Sequence, residues 1–151
     1  MANIVENVLI EPLFEQLQKQ CFVVLTTIDP GTGAPNMNAI SWTLAKDETT
    51  IVFSVANRSK IVENIRRNKH AVITLIANES TYAISGEAVV KQERLEGVNL
   101  KLSLIELRIK EVRDVMFYGA RITAEPRYEF TYDKDAAESL DIQVMEAMKK
   151  A

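Results

Sequence analysis

The sequence predicts a mainly-β fold of the α+β class: an antiparallel barrel, closed or nearly so, with helices at its ends and at one crossover. Three observations carry this. Short β-branched apolar runs recur through the middle of the chain, at 22–28, 49–55 and 71–77. Turns dense in Gly, Pro, Asp and Asn separate them, which favours antiparallel neighbours. Helical periodicity is confined to the two ends and to one segment near residue 60, and a barrel hides the edges that so many strands would otherwise expose.

Each element has a local cause. Residues 4–20 read as helical, because Val5, Val8, Leu9, Leu13 and Leu17 recur at three- and four-residue steps; Pro12 would set the true start near Glu11. Phe22 to Ile28 is a buried strand. Asp29-Pro30-Gly31-Thr32-Gly33 is a turn, with Pro fixing one φ and Gly supplying a positive one. Strands are expected at 36–44 and 49–55, joined by Lys46-Asp47-Glu48. Asn57-Arg58-Ser59 offers N-cap candidates for a short helix from Ile61 to Lys69, with Ile61, Val62 and Ile65 on one face.

Residues 71–77 and 82–91 are two more strands, and Gly86 marks a bulge or a close backbone approach. The charged stretch 92–101 is a loop or short helix. Ser103, Ile105, Leu107 and Ile109 alternate with Leu104, Glu106, Arg108 and Lys110, which reads as a strand in preference to a helix. Residues 119–132 alternate again through Tyr128, Phe130 and Tyr132, and Pro126 would place that strand at an edge or a bulge. Asp133 or Asp135 caps a last helix running through Lys149. The count is six or seven strands and three helices.

Composition narrows the function. The 151 residues, 47% of them hydrophobic, suffice for one domain spanning 1–151 with a proper core. A net charge of −3 gives no global attraction for nucleic acid. One cysteine, Cys21, excludes an internal disulfide, and together with the single histidine, His70, it cannot supply a zinc set. No run is long enough to span a membrane, and the N-terminus lacks the marks of a signal peptide, so a cytoplasmic protein is expected. No Walker loop, Gly-x-Gly-x-x-Gly or nucleophile elbow is present.

Ser59-Lys60 is the main chemical candidate. A hydroxyl and an ammonium at a helix N-terminus suit a phosphate, although taken alone a Ser cap followed by a solvated Lys is the commoner explanation. Asn38, Ser41 and Trp42 on the preceding strand are the second candidate, with core packing and contact with a ring equally open for Trp42.

Residues 20–93 resemble the pyridoxamine 5'-phosphate oxidase-like family of flavin-binding split barrels. The resemblance runs through the strand Phe22–Ile28, then Pro35-Asn36-Met37-Asn38-Ala39-Ile40-Ser41-Trp42, then Ile51–Val55. It continues through Ser59-Lys60 with Asn64-Ile65 and Asn68, the strand Ala71–Ile76, and Ile84-Ser85-Gly86-Glu87-Ala88. It implies a six-stranded antiparallel Greek-key split β-barrel with peripheral helices, forming a homodimer that holds FMN at its interface. Carried over by position, Asn38, Ala39, Ile40, Ser41 and Trp42 would lie along the isoalloxazine ring, largely through backbone groups. Ser54 and Val55 would flank the flavin, Ser59 and Lys60 would hold its phosphate, and Tyr82 would approach from the same or the other subunit.

Such a protein would be a flavin-dependent oxidoreductase acting on a small molecule. The alternatives are a non-catalytic flavin-binding protein connected with stress, or a dimeric barrel holding haem or another ligand. Many family members carry Arg where this chain has Asn38. The Trp and Arg-rich C-terminal segment of the true oxidase is not visible here, so oxidation of pyridoxamine phosphate itself is not expected.

Overall fold

The computed structural model describes residues 5–151, which form eight strands and three helices. In chain order these are β1 (Val5–Glu6), α1 (Glu11–Gln16), β2 (Val23–Ile28), β3 (Pro35–Ile40), β4 (Thr43–Asp47) and β5 (Thr50–Ala56). Then come α2 (Lys60–Arg67), β6 (His70–Ala77), β7 (Ser80–Gln92), β8 (Leu102–Asp114) and α3 (Lys134–Lys150). No helix among the described residues is long and apolar enough to cross a membrane.

All strand pairings are antiparallel, and the spatial order is β3-β2-β6-β7-β8-β5-β4, with β1 paired to β8. The two end strands of that order, β3 and β4, are neighbours in sequence, separated only by Ser41 and Trp42. The sheet therefore curls until its two edges meet at this link, which makes a split barrel.

Fully buried Leu25, Phe53, Ile73, Ile84 and Leu107 fill the barrel, and α1 and α2 close it with Leu13, Ile61 and Ile65, joined by Leu17 just after α1. A second core lies outside the barrel, where Leu44, Val52 and Leu104 pack with Val144 and Met148 of α3. Strand β5 serves both cores, Ile51 and Phe53 facing in and Val52 facing α3. That is why its sequence is continuously apolar rather than alternating.

Four local expectations change. The helix expected over 4–20 is only α1; Ile4 lies outside the described residues. Pro12 sits in the first turn, and the N-cap residue Ile10 is extended at φ −71°, ψ 157°. The strand expected at 36–44 is broken at Ser41–Trp42, and Val5–Glu6 adds a short strand, so eight strands stand where six or seven were expected. The loop between β4 and β5 falls at Glu48–Thr49, organised by the Asp47 carboxylate, which accepts from Thr49 N at 2.8 Å. Residues 119–132 form no strand. Their alternation is a ladder of Tyr128, Phe130 and Tyr132 rings stacked edge to face, with centroids 5.9 and 6.1 Å apart.

The remaining elements agree with the pattern. β8 is a strand, and Asp133 caps α3 by accepting from Asp135 N and Ala136 N. At Gly86 a Cβ would stand 2.0 Å from the Arg108 carbonyl oxygen, and the β7–β8 register shifts beside it. It is both a close approach and a bulge. The β6–β7 hairpin turns on Asn78 and Glu79, both at positive φ (53° and 61°), as a two-residue turn of the primed kind requires.

Candidate functional site

The corner where β5 passes into α2 gathers most of the predicted site. Ser59 is extended (φ −63°, ψ 144°) and caps α2, its Oγ accepting from Ile61 N at 3.1 Å. Lys60, whose side chain is 62% exposed, reaches the β2–β3 turn and forms an ion pair with Asp29 Oδ2 at 2.5 Å. The other oxygen, Oδ1, accepts from Gly31 N at 2.7 Å and Thr32 N at 3.2 Å. The Lys60 ammonium, followed by the Gly31 amide, holds the Asp29 carboxyl below the usual aspartate range. Asp29 in turn raises the Lys60 ammonium above the usual lysine value.

One helical turn on, buried Asn64 ties this corner to the sheet. Its Nδ2 donates to Thr27 Oγ1 and to Asn36 Oδ1, both at 3.0 Å, while its own Oδ1 is buried without a partner. The resemblance included Asn64; its role as the bolt between α2, β2 and β3 emerges only when three distant segments meet.

Asn36 leads into the exposed part of β3. Asn38 and Ala39 are exposed opposite Leu25 and Val24, and Ile40 is half-buried against the barrel core. β3 ends the sheet, so one of its backbone edges has no strand beside it among the described residues. The link that follows is firmly held. Ser41 O accepts from Cys21 N and Thr43 N, and Trp42 O accepts from Ser54 N at 3.1 Å. The Trp42 indole N–H donates to Asp141 Oδ1 on α3 at 2.7 Å, and Gln20 Nε2 donates to Asp141 Oδ2 at 2.8 Å. The Trp42 ring packs on the second core. Asp141 had no marker in the sequence, since its partners lie about a hundred residues away.

The other predicted residues are placed differently. Ser54 is buried beside Trp42 with its Oγ unpartnered, and Val55 points into the barrel. Tyr82 also points into the barrel, its hydroxyl accepting from Asn78 Nδ2 at 3.0 Å. By register it pairs with Leu75, towards the Val23 end of β2, whereas Lys60 stands at the Asp29 end. Within one protomer Tyr82 therefore does not join the corner. It lines a cleft of about 780 Å³ with Asp114, Phe117 and Tyr118. The outward residues of its strand are Thr81, Ala83 and Ser85, and Ser85 borders a cavity of about 300 Å³ with Thr26, Ile28, Val72 and His70.

With this geometry in place, similarity to known proteins is informative. The profile described as pyridoxamine 5'-phosphate oxidase matches residues 9–116, more than half the chain. The chain belongs to the pyridoxamine 5'-phosphate oxidase-like family. No curated protein is similar enough to count as a match.

Solved structures agree on the fold. A candidate pyridoxamine 5'-phosphate oxidase from Lactobacillus delbrueckii superposes with a TM-score of 0.62 at 19% identity, covering 74% of this chain and 98% of that one. HupZ from group A Streptococcus superposes at 0.56 with 16% identity, over 71% and 93% of the two chains. A haem-binding protein from Mycobacterium smegmatis gives 0.53 and 16%, over 74% of this chain and 56% of its own. These identities establish a shared fold and leave the ligand to be argued from the site.

Proposed function

We propose that the chain is a cytoplasmic, single-domain flavin-binding protein that holds FMN at the interface of a homodimer and serves oxidation–reduction of a small molecule. One observation carries the reading. An unpaired strand edge at Asn38 and Ala39 and a capped helix N-terminus at Ser59 and Lys60 are bolted to one another by Asn64. FMN has a flat ring with a polar edge and a terminal phosphate, and the corner offers a match for each.

The residues present fit that group. Ser59 spends only its acceptor on the cap, so its hydroxyl hydrogen is free for a phosphate oxygen; Lys60 and the first-turn amide add positive potential. The backbone of Asn38 through Trp42 supplies amide and carbonyl groups for the ring edge. Ser54 and Val55 stand on β5 behind that link, both buried, and Ser54 N donates to Trp42 O, so they would act by fixing the link. When bound, FMN would supply the two-electron chemistry. The chain would hold it, through Lys60 and Ser59 at the tail, and orient it through the fixed Ser41–Trp42 link.

Support for the dimer comes from the outer sheet face. Val24, Thr26 and Ile28 of β2 stand beside Val72, Thr74 and Ile76 of β6 and Ala83 of β7, an uncharged and largely β-branched strip. Tyr82 would then matter only through its strand, whose outward neighbours Thr81 and Ala83 face a second copy.

The test is the absorbance spectrum of the purified protein, followed by titration of the apo form with FMN. A flavin band near 450 nm (roughly, as for free flavin), or saturable binding of added FMN, is expected. Failure to bind FMN, together with a Soret band on adding haem, would replace this reading with that of a haem-binding barrel, as the M. smegmatis neighbour is named.

A further inference from the structure

We infer that Asp29 is a specificity-determining residue: it competes with the flavin's phosphate for the Lys60 ammonium and so weakens the corner's preference for FMN over riboflavin. This rests on the flavin reading above and adds to it a residue outside the expected set.

The carboxylate is placed in advance. Its Oδ1 is held by Gly31 N and Thr32 N, and the turn is closed by Asp29 N to Ala34 O and Gly33 N to Asp29 O, both at 2.8 Å. Gly33 takes the positive φ of 75° that this turn demands. The Asp29 side chain is only 13% exposed against 62% for Lys60, so the flexible ammonium comes to the fixed carboxylate. Glu63 also acts electrostatically on Lys60.

A phosphate dianion at the Ser59 cap must share Lys60 with a carboxylate already bonded to it, or displace that carboxylate. Either event subtracts from the phosphate's contribution and leaves the ring's contribution untouched. The competition acts only on the phosphorylated ligand, which makes it a matter of specificity.

Asp29→Asn tests this directly, because its side-chain oxygen can still accept from the two turn amides while the charge is lost. Asp29→Ser provides a second variant with an acceptor oxygen. FMN and riboflavin affinities are measured by flavin fluorescence on the full chain, for the wild type, both variants and each combined with Lys60→Met. Asp29→Asn is expected to bind FMN roughly twofold to fivefold tighter with riboflavin unchanged, and the gain should vanish when Lys60 is Met. Unchanged or weaker FMN binding in a variant that melts like the wild type overturns the proposal. So does an equal gain for both flavins, or a gain that survives Lys60→Met. If the wild type and every variant bind neither flavin, the flavin reading itself falls and takes this one with it.

Discussion

The indole nitrogen of Trp42 donates to the buried carboxylate of Asp141 at 2.7 Å, joining the link between the sheet's two end strands to the C-terminal helix. The second carboxylate oxygen is taken by Gln20, just ahead of β2. Lys46 completes the clamp from β4, donating to the carbonyls of Met148, Lys149 and Ala151 at the end of α3. Helix α3 lies beyond the residues 9–116 that match the family, yet it holds the segment on which the flavin assignment depends.

Asp141→Ala should therefore be among the costly polar substitutions. It strands two donors around a site that is 5% exposed, and hydrogen bonds to a charged group are worth about 1.5–3 kcal/mol each. A loss of about 2–4 kcal/mol in urea unfolding is expected. A loss below about 0.5 kcal/mol would mean that the clamp is not formed in solution.

Gly86→Ala should be more damaging than its size suggests. The added methyl would stand 2.0 Å from the Arg108 carbonyl oxygen, which is backbone and cannot turn aside. Separation of β7 from β8 at the bulge, with a loss of about 2–3 kcal/mol or more, is expected. Thermal melting checks it, and an unchanged midpoint would contradict the close approach.

Lys60→Ala should weaken FMN binding about tenfold while sparing riboflavin, since the ammonium it removes, shared with Asp29, would act on the phosphate and not on the ring. Parallel titrations with the two flavins check this. Equal affinity for FMN before and after the change would remove Lys60 from the phosphate site.

The Asp29–Lys60 pair has a pH signature. The folded carboxyl titrates below its unfolded value, so its stabilising effect is fully present above the ordinary aspartate pKa and is lost as pH falls through the lowered folded value. Carbon-detected NMR titration should place the Asp29 midpoint below that of an ordinary aspartate. Lys60→Met should move it upward, with the Gly31 and Thr32 amides preserving part of the depression. An unmoved midpoint would show that the ion pair does not persist in solution.

Much of the corner was legible because its parts are local. Ser59 caps its own helix, and the Asp29 turn follows from Pro and Gly at set offsets. Tyr82 was harder. Thr81, Ala83 and Ser85 on one face and Tyr82, Ile84 and Gly86 on the other give no polar–apolar contrast, so the parity of β7 is hidden until its partners are known. The aromatic alternation near Tyr128 misled in the opposite sense, because period two marks a strand only where another strand accepts it.

By itself the sequence determined the order and type of most elements, the barrel class and the cap at Ser59, since periodicity, caps and turns act over a few residues. The tertiary structure alone decided the break at Ser41–Trp42, the side of the sheet that Tyr82 faces, and the partners of Lys60, Asn64 and Trp42. Those depend on segments up to about a hundred residues apart meeting at one edge of a curled sheet, and no local pattern encodes which charge or donor will be waiting there.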